Sequence, residues 1–149
     1  MVCLGNICRS PLAEGILRDK LSKNGLDWEV DSAGTGGWHI GSLPDRRSVD
    51  VARKYGIDIT YQRARKFRSN DFDEFDIIFA MDTSNYHDIH RMALNDSERQ
   101  KVKLILEEVL PGQKKSVPDP YYDDNGFEEV FKMLDEACDV IIRKYQSDS

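Results

Sequence analysis

Cys3 and Arg9 stand six positions apart, with Ser10 directly behind the arginine, in the segment Val2-Cys3-Leu4-Gly5-Asn6-Ile7-Cys8-Arg9-Ser10-Pro11. A thiol, a guanidinium and a hydroxyl at this spacing suit one task, holding a phosphate-like dianion against a thiolate. The thiolate is the nucleophilic form of cysteine, and nearby positive charge favours it over the thiol. Arginine offers a planar fork that matches two phosphate oxygens. Leu4, Gly5, Asn6, Ile7 and Cys8 are expected to curl so that their backbone N–H groups form an anion-binding nest. A helix opening behind them adds its positive N-terminus. Ser10 reads as the N-cap of that helix and Pro11 as its first residue. Gly5 is expected to take a backbone conformation closed to other residues. Cys3 alone would read as a buried structural thiol, since free cysteine is among the most buried residue types. Arg9 and Ser10 at this spacing favour the nucleophile.

A second chemical feature lies far downstream, in Pro118-Asp119-Pro120-Tyr121-Tyr122. Asp-Pro by itself is an ordinary turn signal. Together with Cys-x5-Arg-Ser at the other end, in this order, it resembles the low-molecular-weight protein tyrosine phosphatases, and the similarity runs through nearly the whole chain. The resemblance implies an enzyme that hydrolyses phosphotyrosine monoesters through a phosphocysteine intermediate. Cys3 is then the nucleophile and Arg9 the group that stabilises the equatorial oxygens in the transition state. Asp119 is the general acid, and afterwards the base that activates water. A tyrosyl leaving group has a pKa of about 10, so its expulsion is slow unless a carboxylic acid protonates it. The phosphate-binding residues are Leu4, Gly5, Asn6, Ile7, Cys8, Arg9 and Ser10, with Asn6 propping the loop and the Ser10 hydroxyl bonded to the thiolate. Trp38, Tyr121 and Tyr122 resemble the aromatic rim of the family's cleft, and both tyrosines are candidates for phosphorylation. Ser32, Asp82 and Asn85 sit where the family has structural polar residues. Tyr55 stands where many relatives carry a histidine that buttresses the phosphate loop. No metal and no cofactor is implied, because the nest and Arg9 supply the positive charge.

Other functions on the same fold are separable by residue type. Protein arginine phosphatases resemble the opening motif but carry threonine where Ile7 stands, and a bulky apolar side chain there disfavours a guanidinium. Arsenate reductases need a further cysteine pair for a disulfide relay, whereas only Cys138 remains here, on an apolar helix face. A non-catalytic phosphotyrosine-binding or redox-sensing module would have lost a group required for turnover, and none is visibly lost. Cys8 either forms an oxidative disulfide with Cys3 or simply fills the loop. His87 and His90 have metal-like spacing without a third ligand and read as a solvated face. The arginines and lysine between Arg63 and Arg68 read as a solvated loop able to meet acidic partners.

Strands and helices that alternate must position these groups. Helical spacing of Ala13, Ile16, Leu17 and Leu21 ends at Gly25. A strand-like run covers residues 28–33, and a helix starting at Pro44-Asp45 ends at Gly56. A short turn over 70–74 leads into an apolar strand over 75–81. A helix over 84–92, a polar turn over 95–100 and a strand over 102–106 follow. Phe127, Val130, Phe131, Leu134, Ala137, Cys138, Ile141, Ile142 and Tyr145 trace one face of a long closing helix. The pattern predicts an α/β fold, a three-layer α/β/α sandwich with a central four-stranded parallel sheet and the phosphate loop between the first strand and the first helix.

The 149 residues predict one domain, residues 1–149. An odd count of 3 cysteines is too sparse for a secreted disulfide scaffold, so the expected compartment is the cytoplasm. No apolar run or leader pattern predicts a membrane partner. The formal charge of −6 argues against nucleic acid and requires that any anionic substrate be drawn by a local positive site. The expected partners are phosphotyrosine-containing proteins, met by a monomer. Only Met1 and Val2 precede Cys3 where the family has a full central strand, so the first strand is expected to be truncated in this chain.

Overall fold

The computed structural model of the chain describes residues 1–146. Among them four short strands form a wholly parallel sheet, β1 (Val2–Cys3), β2 (Ala33–Gly34), β3 (Ile78–Ala80) and β4 (Val102–Leu104), in the order β2-β1-β3-β4. The two-residue periodicity of a strand splits the core between the two faces of this sheet. Val2, Ile78, Ala80, Val102 and Leu104 point to one side, with Phe67, Phe72 and Ile89. Cys3, Phe79, Met81 and Ile105 belong to the other side.

The helices follow this division. On the larger face lie α1 (Arg9–Lys23), α2 (Arg46–Lys54) and the closing helix α6 (Gly126–Tyr145), which pack on one another. On the other face lie α3 (Asp71–Glu74), through Phe72, and α4 (Thr83–Met92), which packs on β3 and β4. The short α5 (Asp96–Arg99) and a 3₁₀ turn over Ile105–Glu108 flank β4. The expected α/β/α sandwich is therefore the observed one. Gly56 has φ +80°, as the left-handed residue after α2 requires. Among the described residues, no helix is long and apolar enough to cross a membrane.

β1 lies inside the sheet, with β2 on one side and β3 on the other. The chain runs outward from β1 to β2 and then returns to the opposite side. In open α/β sheets such a reversal leaves a crevice at the carboxyl ends of the strands, where ligands bind. The loop after Cys3 opens into that crevice.

The strands are shorter than their apolar runs predict. β2 begins at Ala33, and residues 28–32 form no ladder; β4 ends at Leu104, where the chain tightens into the 3₁₀ turn. Val2 is in register with Ala33 and Ala80. The Met1 ammonium donates to the Asp31 carbonyl at 3.1 Å, and burial pushes its pKa down. Ahead of it runs an apolar groove of about 570 Å³, lined by Trp28, Val30, Phe75, Ile77 and Ile78 among others. An extension of three or four β-branched residues fused ahead of Met1 is expected to lie in this groove. It should raise Tm by about 5 °C or more in a thermal melt, while the same extension interrupted by proline should not.

Candidate active site

The segment between β1 and α1 closes around the Cys3 sulfur. Ser10 Oγ lies 3.0 Å from Cys3 Sγ, and the Asn6 backbone N–H donates to the same sulfur at 3.3 Å. One backbone donor and one hydroxyl thus meet the atom where thiolate charge would sit. Helix α1 begins at Arg9, with Cys8 as its N-cap and no side chain capping it. Ser10 is therefore inside the first turn and its hydroxyl turns to Cys3, not to a helix N–H as the sequence pattern suggested. The left-handed residue of the loop is also not the expected one. Asn6 has φ +56°, whereas Gly5 lies outside that region. Gly5 sits close to a neighbour instead, since a Cβ there would stand 3.2 Å from the His39 ring. Gly34 is tighter still, for a Cβ would come within 2.8 Å of the Leu4 carbonyl oxygen.

Asn6 is held by three side-chain hydrogen bonds. Its Nδ2 donates to Ser10 Oγ at 2.8 Å and to Ser32 Oγ at 3.0 Å, and its Oδ1 accepts the Arg65 backbone N–H at 2.9 Å. Ser32 in turn donates to Gln62 Oε1 at 3.3 Å, and Gln62 Nε2 donates to the Pro11 carbonyl at 2.9 Å. The buttress behind the loop is thus Ser32 with Gln62. Tyr55 is not part of it: its ring stacks on Phe131 and its hydroxyl bonds Glu128. Arg65, read from sequence as part of a solvated loop, is clamped by Asp71 at 3.0 Å and Asp31 at 3.2 Å. Beside this wall the buried Glu14 carboxylate accepts from the Tyr61 hydroxyl at 2.7 Å.

Arg9 is 3% exposed, with Nη1 donating to Asp82 Oδ2 at 2.6 Å and to the Val117 carbonyl at 2.9 Å. Asp82 follows β3 and caps α4, where its Oδ1 accepts the N–H of the buried Asn85 at 2.7 Å. Val117 also donates its N–H to the Met81 carbonyl at 2.8 Å. That pair of bonds anchors the loop after residue 116 to the end of β3. Asp119 sits on this loop, half-exposed, with Oδ2 3.8 Å from Arg9 Nη2 and Oδ1 accepting the Tyr121 N–H at 3.1 Å.

These groups share one cavity of about 240 Å³, lined by Cys3, Leu4, Gly5, Ile7, Cys8, Arg9, Trp38, His39, Asp119, Tyr121 and Tyr122. Trp38 and Tyr122 are largely exposed at its mouth, and Tyr122 meets Tyr121 edge to face at 4.9 Å. His39, Gln62 and Val117 carry no sequence signal of a site; only the adjacent Trp38 marked the neighbourhood of His39. Burial pushes the Cys8 and Cys138 thiols up to about 12, so both stay protonated near neutrality. His87 and His90 pack against Tyr86. Among the described residues, no group of three or more His, Cys, Asp or Glu could hold a metal ion.

The sequence profile described as "Low molecular weight phosphotyrosine protein phosphatase" matches residues 1–149. The chain belongs to this family. A low molecular weight phosphotyrosine protein phosphatase of Schizosaccharomyces pombe is 47% identical over 137 residues, which span 89% of this chain and 86% of that protein. The crystal structure of YfkJ from Bacillus subtilis superposes with a TM-score of 0.91 at 40% identity, covering 99% of this chain and 93% of the other. A Drosophila arginine phosphatase also superposes with a TM-score of 0.91, at 35% identity over 99% and 97% of the two chains. As a member of the low-molecular-weight phosphatase family, the protein is a hydrolase.

Two outcomes follow for stability. Replacing Asn6 by alanine removes two buried and one part-buried hydrogen bond and leaves the Arg65 N–H without its partner. Denaturant unfolding should show a loss of about 2–4 kcal/mol, and Asn6→Gly should recover only the smaller backbone part. Burial holds the Glu14 carboxyl above the ordinary value of 4.5. Its contribution to stability is present below that pH and is lost as pH rises through the raised value. Glu14→Gln, which stays neutral, should therefore gain on wild type as unfolding is measured from acid to neutral pH.

Proposed function

We propose that the protein is a phosphotyrosine phosphatase that hydrolyses the aryl phosphate through Cys3, Arg9 and Asp119. The single observation that carries this reading is their convergence on one cavity: a sulfur met by the Asn6 N–H and the Ser10 hydroxyl, a buried guanidinium, and a half-exposed carboxyl 3.8 Å from that guanidinium.

Cys3 attacks phosphorus as the thiolate. The P–O bond to the tyrosyl oxygen breaks while Asp119 delivers its proton to that oxygen, so that a neutral phenol leaves. Arg9 and the loop N–H groups hold the equatorial oxygens as charge shifts among them. Because Asp82 and Val117 occupy Nη1, the guanidinium is fixed before the anion arrives and little reorganisation accompanies the reaction. In the second half Asp119 takes a proton from water, the water oxygen bonds to phosphorus, and the S–P bond breaks. The Ser10 hydroxyl stabilises the departing thiolate. Each step is supplied by side chains and backbone, with neither metal nor cofactor.

Trp38, Tyr121 and Tyr122 form an apolar mouth suited to a phenyl ring. The substrates we infer are phosphotyrosine-containing proteins, met by a single-domain cytoplasmic monomer without nucleic-acid or membrane partners. The structural likeness to an arginine phosphatase supplies a second candidate substrate, phosphoarginine, whose phosphoryl group is bonded to nitrogen. Ile7 lines the cavity as an apolar side chain and favours the phenolic one.

Paired turnover of phosphotyrosine and phosphoarginine peptides tests the choice, with faster release from phosphotyrosine expected. In the same assay Cys3→Ser should abolish turnover. Asp119→Asn should lower it by roughly 10²–10⁴-fold, and a chelator should have no effect. Undiminished turnover by Cys3→Ser would sink the mechanism.

A further inference from the structure

The site described above has its nucleophile on one loop and its candidate acid on another, separated by more than a hundred residues of chain. Val117 ties the second loop to β3, but Asp119 lies beyond that anchor, and its own recorded bonds are a turn within its loop and the long approach to Arg9. Something must fix the outer half of that loop.

Arg47, in the first turn of α2, has the required contacts. Its Nε and Nη2 grip both oxygens of Asp45, each at 3.0 Å, and its Nη1 bonds Asp124. The guanidinium lies over the Tyr121 ring at 5.5 Å and over the Phe127 ring at 4.6 Å. Asp124, Tyr121 and Phe127 all belong to the acid-bearing loop or to the start of α6 that receives it. The other end of the clamp is tied to the phosphate loop. The Asp45 N–H donates to the Ile7 carbonyl at 2.7 Å, and the Ser48 hydroxyl donates to the Cys8 carbonyl at 3.2 Å.

We propose that Arg47 is a positioning residue that sets the distance between Asp119 and the Cys3 loop. It does so by bridging the N-terminus of α2 to Tyr121, Asp124 and Phe127. The inference rests on Asp119 acting as the acid. The pair with Asp124 is solvent-exposed, 83% on the aspartate side, and contributes little by itself. The ring contacts and the two-pronged grip on the half-buried Asp45 carry the geometry. Lysine keeps the charge but loses both the fork and the planar stack.

A structural defect and a misplaced acid differ in which esters they slow. An acid that has lost its position matters for a leaving group that needs a proton and is irrelevant for one that leaves as a stable phenolate. The test is kcat/KM for a series of aryl phosphates running from phenyl phosphate to dinitrophenyl phosphate, for wild type, Arg47→Ala, Arg47→Lys and Asp119→Asn. Both Arg47 variants should lose roughly 10–100-fold on phenyl phosphate and little on dinitrophenyl phosphate, so that the dependence on leaving-group pKa steepens toward that of Asp119→Asn. An equal loss on every ester, or no loss, overturns the role of Arg47. Should Asp119→Asn itself show no steepening, the acid assignment fails and the role of Arg47 fails with it. A steep Asp119→Asn beside an unaltered Arg47→Ala overturns Arg47 alone.

Discussion

The structure depends on a buried guanidinium. Arg9 is almost wholly removed from solvent, and an unpaired charge at such depth costs several kcal/mol. The fold meets that cost with Asp82 at the end of β3 and the Val117 carbonyl at the start of the acid-bearing loop. Three segments distant in sequence are thereby held at one point. The two bonds on Nη1 also orient the rest of the guanidinium toward the cavity, where a dianion would meet it. Catalysis by preorganised charge has this character: the cost of orienting the dipoles is met when the chain folds and not when the bond breaks.

A second constraint is close approach of backbone to backbone. The loop after β1 must curl tightly enough for its N–H groups to face inward, and β2 must end against it. Gly34 allows that contact because any Cβ would strike the Leu4 carbonyl. Asn6 accepts the left-handed conformation and compensates with three side-chain hydrogen bonds. The bonds run through Ser32 and Gln62 to α1, so the loop is braced by neutral polar groups.

Placing the proposed acid on a separate loop has a consequence for flexibility. Asp119 is half-exposed, and its neighbour Tyr122 is almost wholly so. Such a loop can admit a substrate ring, yet proton transfer requires the carboxyl at a defined distance. Val117 and the contacts of Arg47 divide the labour, one fixing the start of the loop and the other its far end.

The local grouping of the candidate residues was legible in the sequence. Cys3, Arg9 and Ser10 lie within one turn of chain, so their spacing alone brings them together, and the apolar rhythm of residues 127–145 could only be an amphipathic helix. The alternation of strands and helices gave the sandwich for the same reason: each signal is contained in a short window. The tertiary structure decided what depends on separated segments. Ser10 faces the thiol and not a helix end because Asn6 and Cys3 offer it better partners. Gln62 and not Tyr55 supports the loop because the turn after α2 delivers it to Ser32. Val117, His39 and Arg47 join the site through a carbonyl, a ring face and a guanidinium stack, interactions open to many residue types and hence without a sequence pattern. Residue types and short spacings determined which chemistry was available; only the fold, by bringing β3, α2 and the acid-bearing loop to the end of β1, decided how those groups are held.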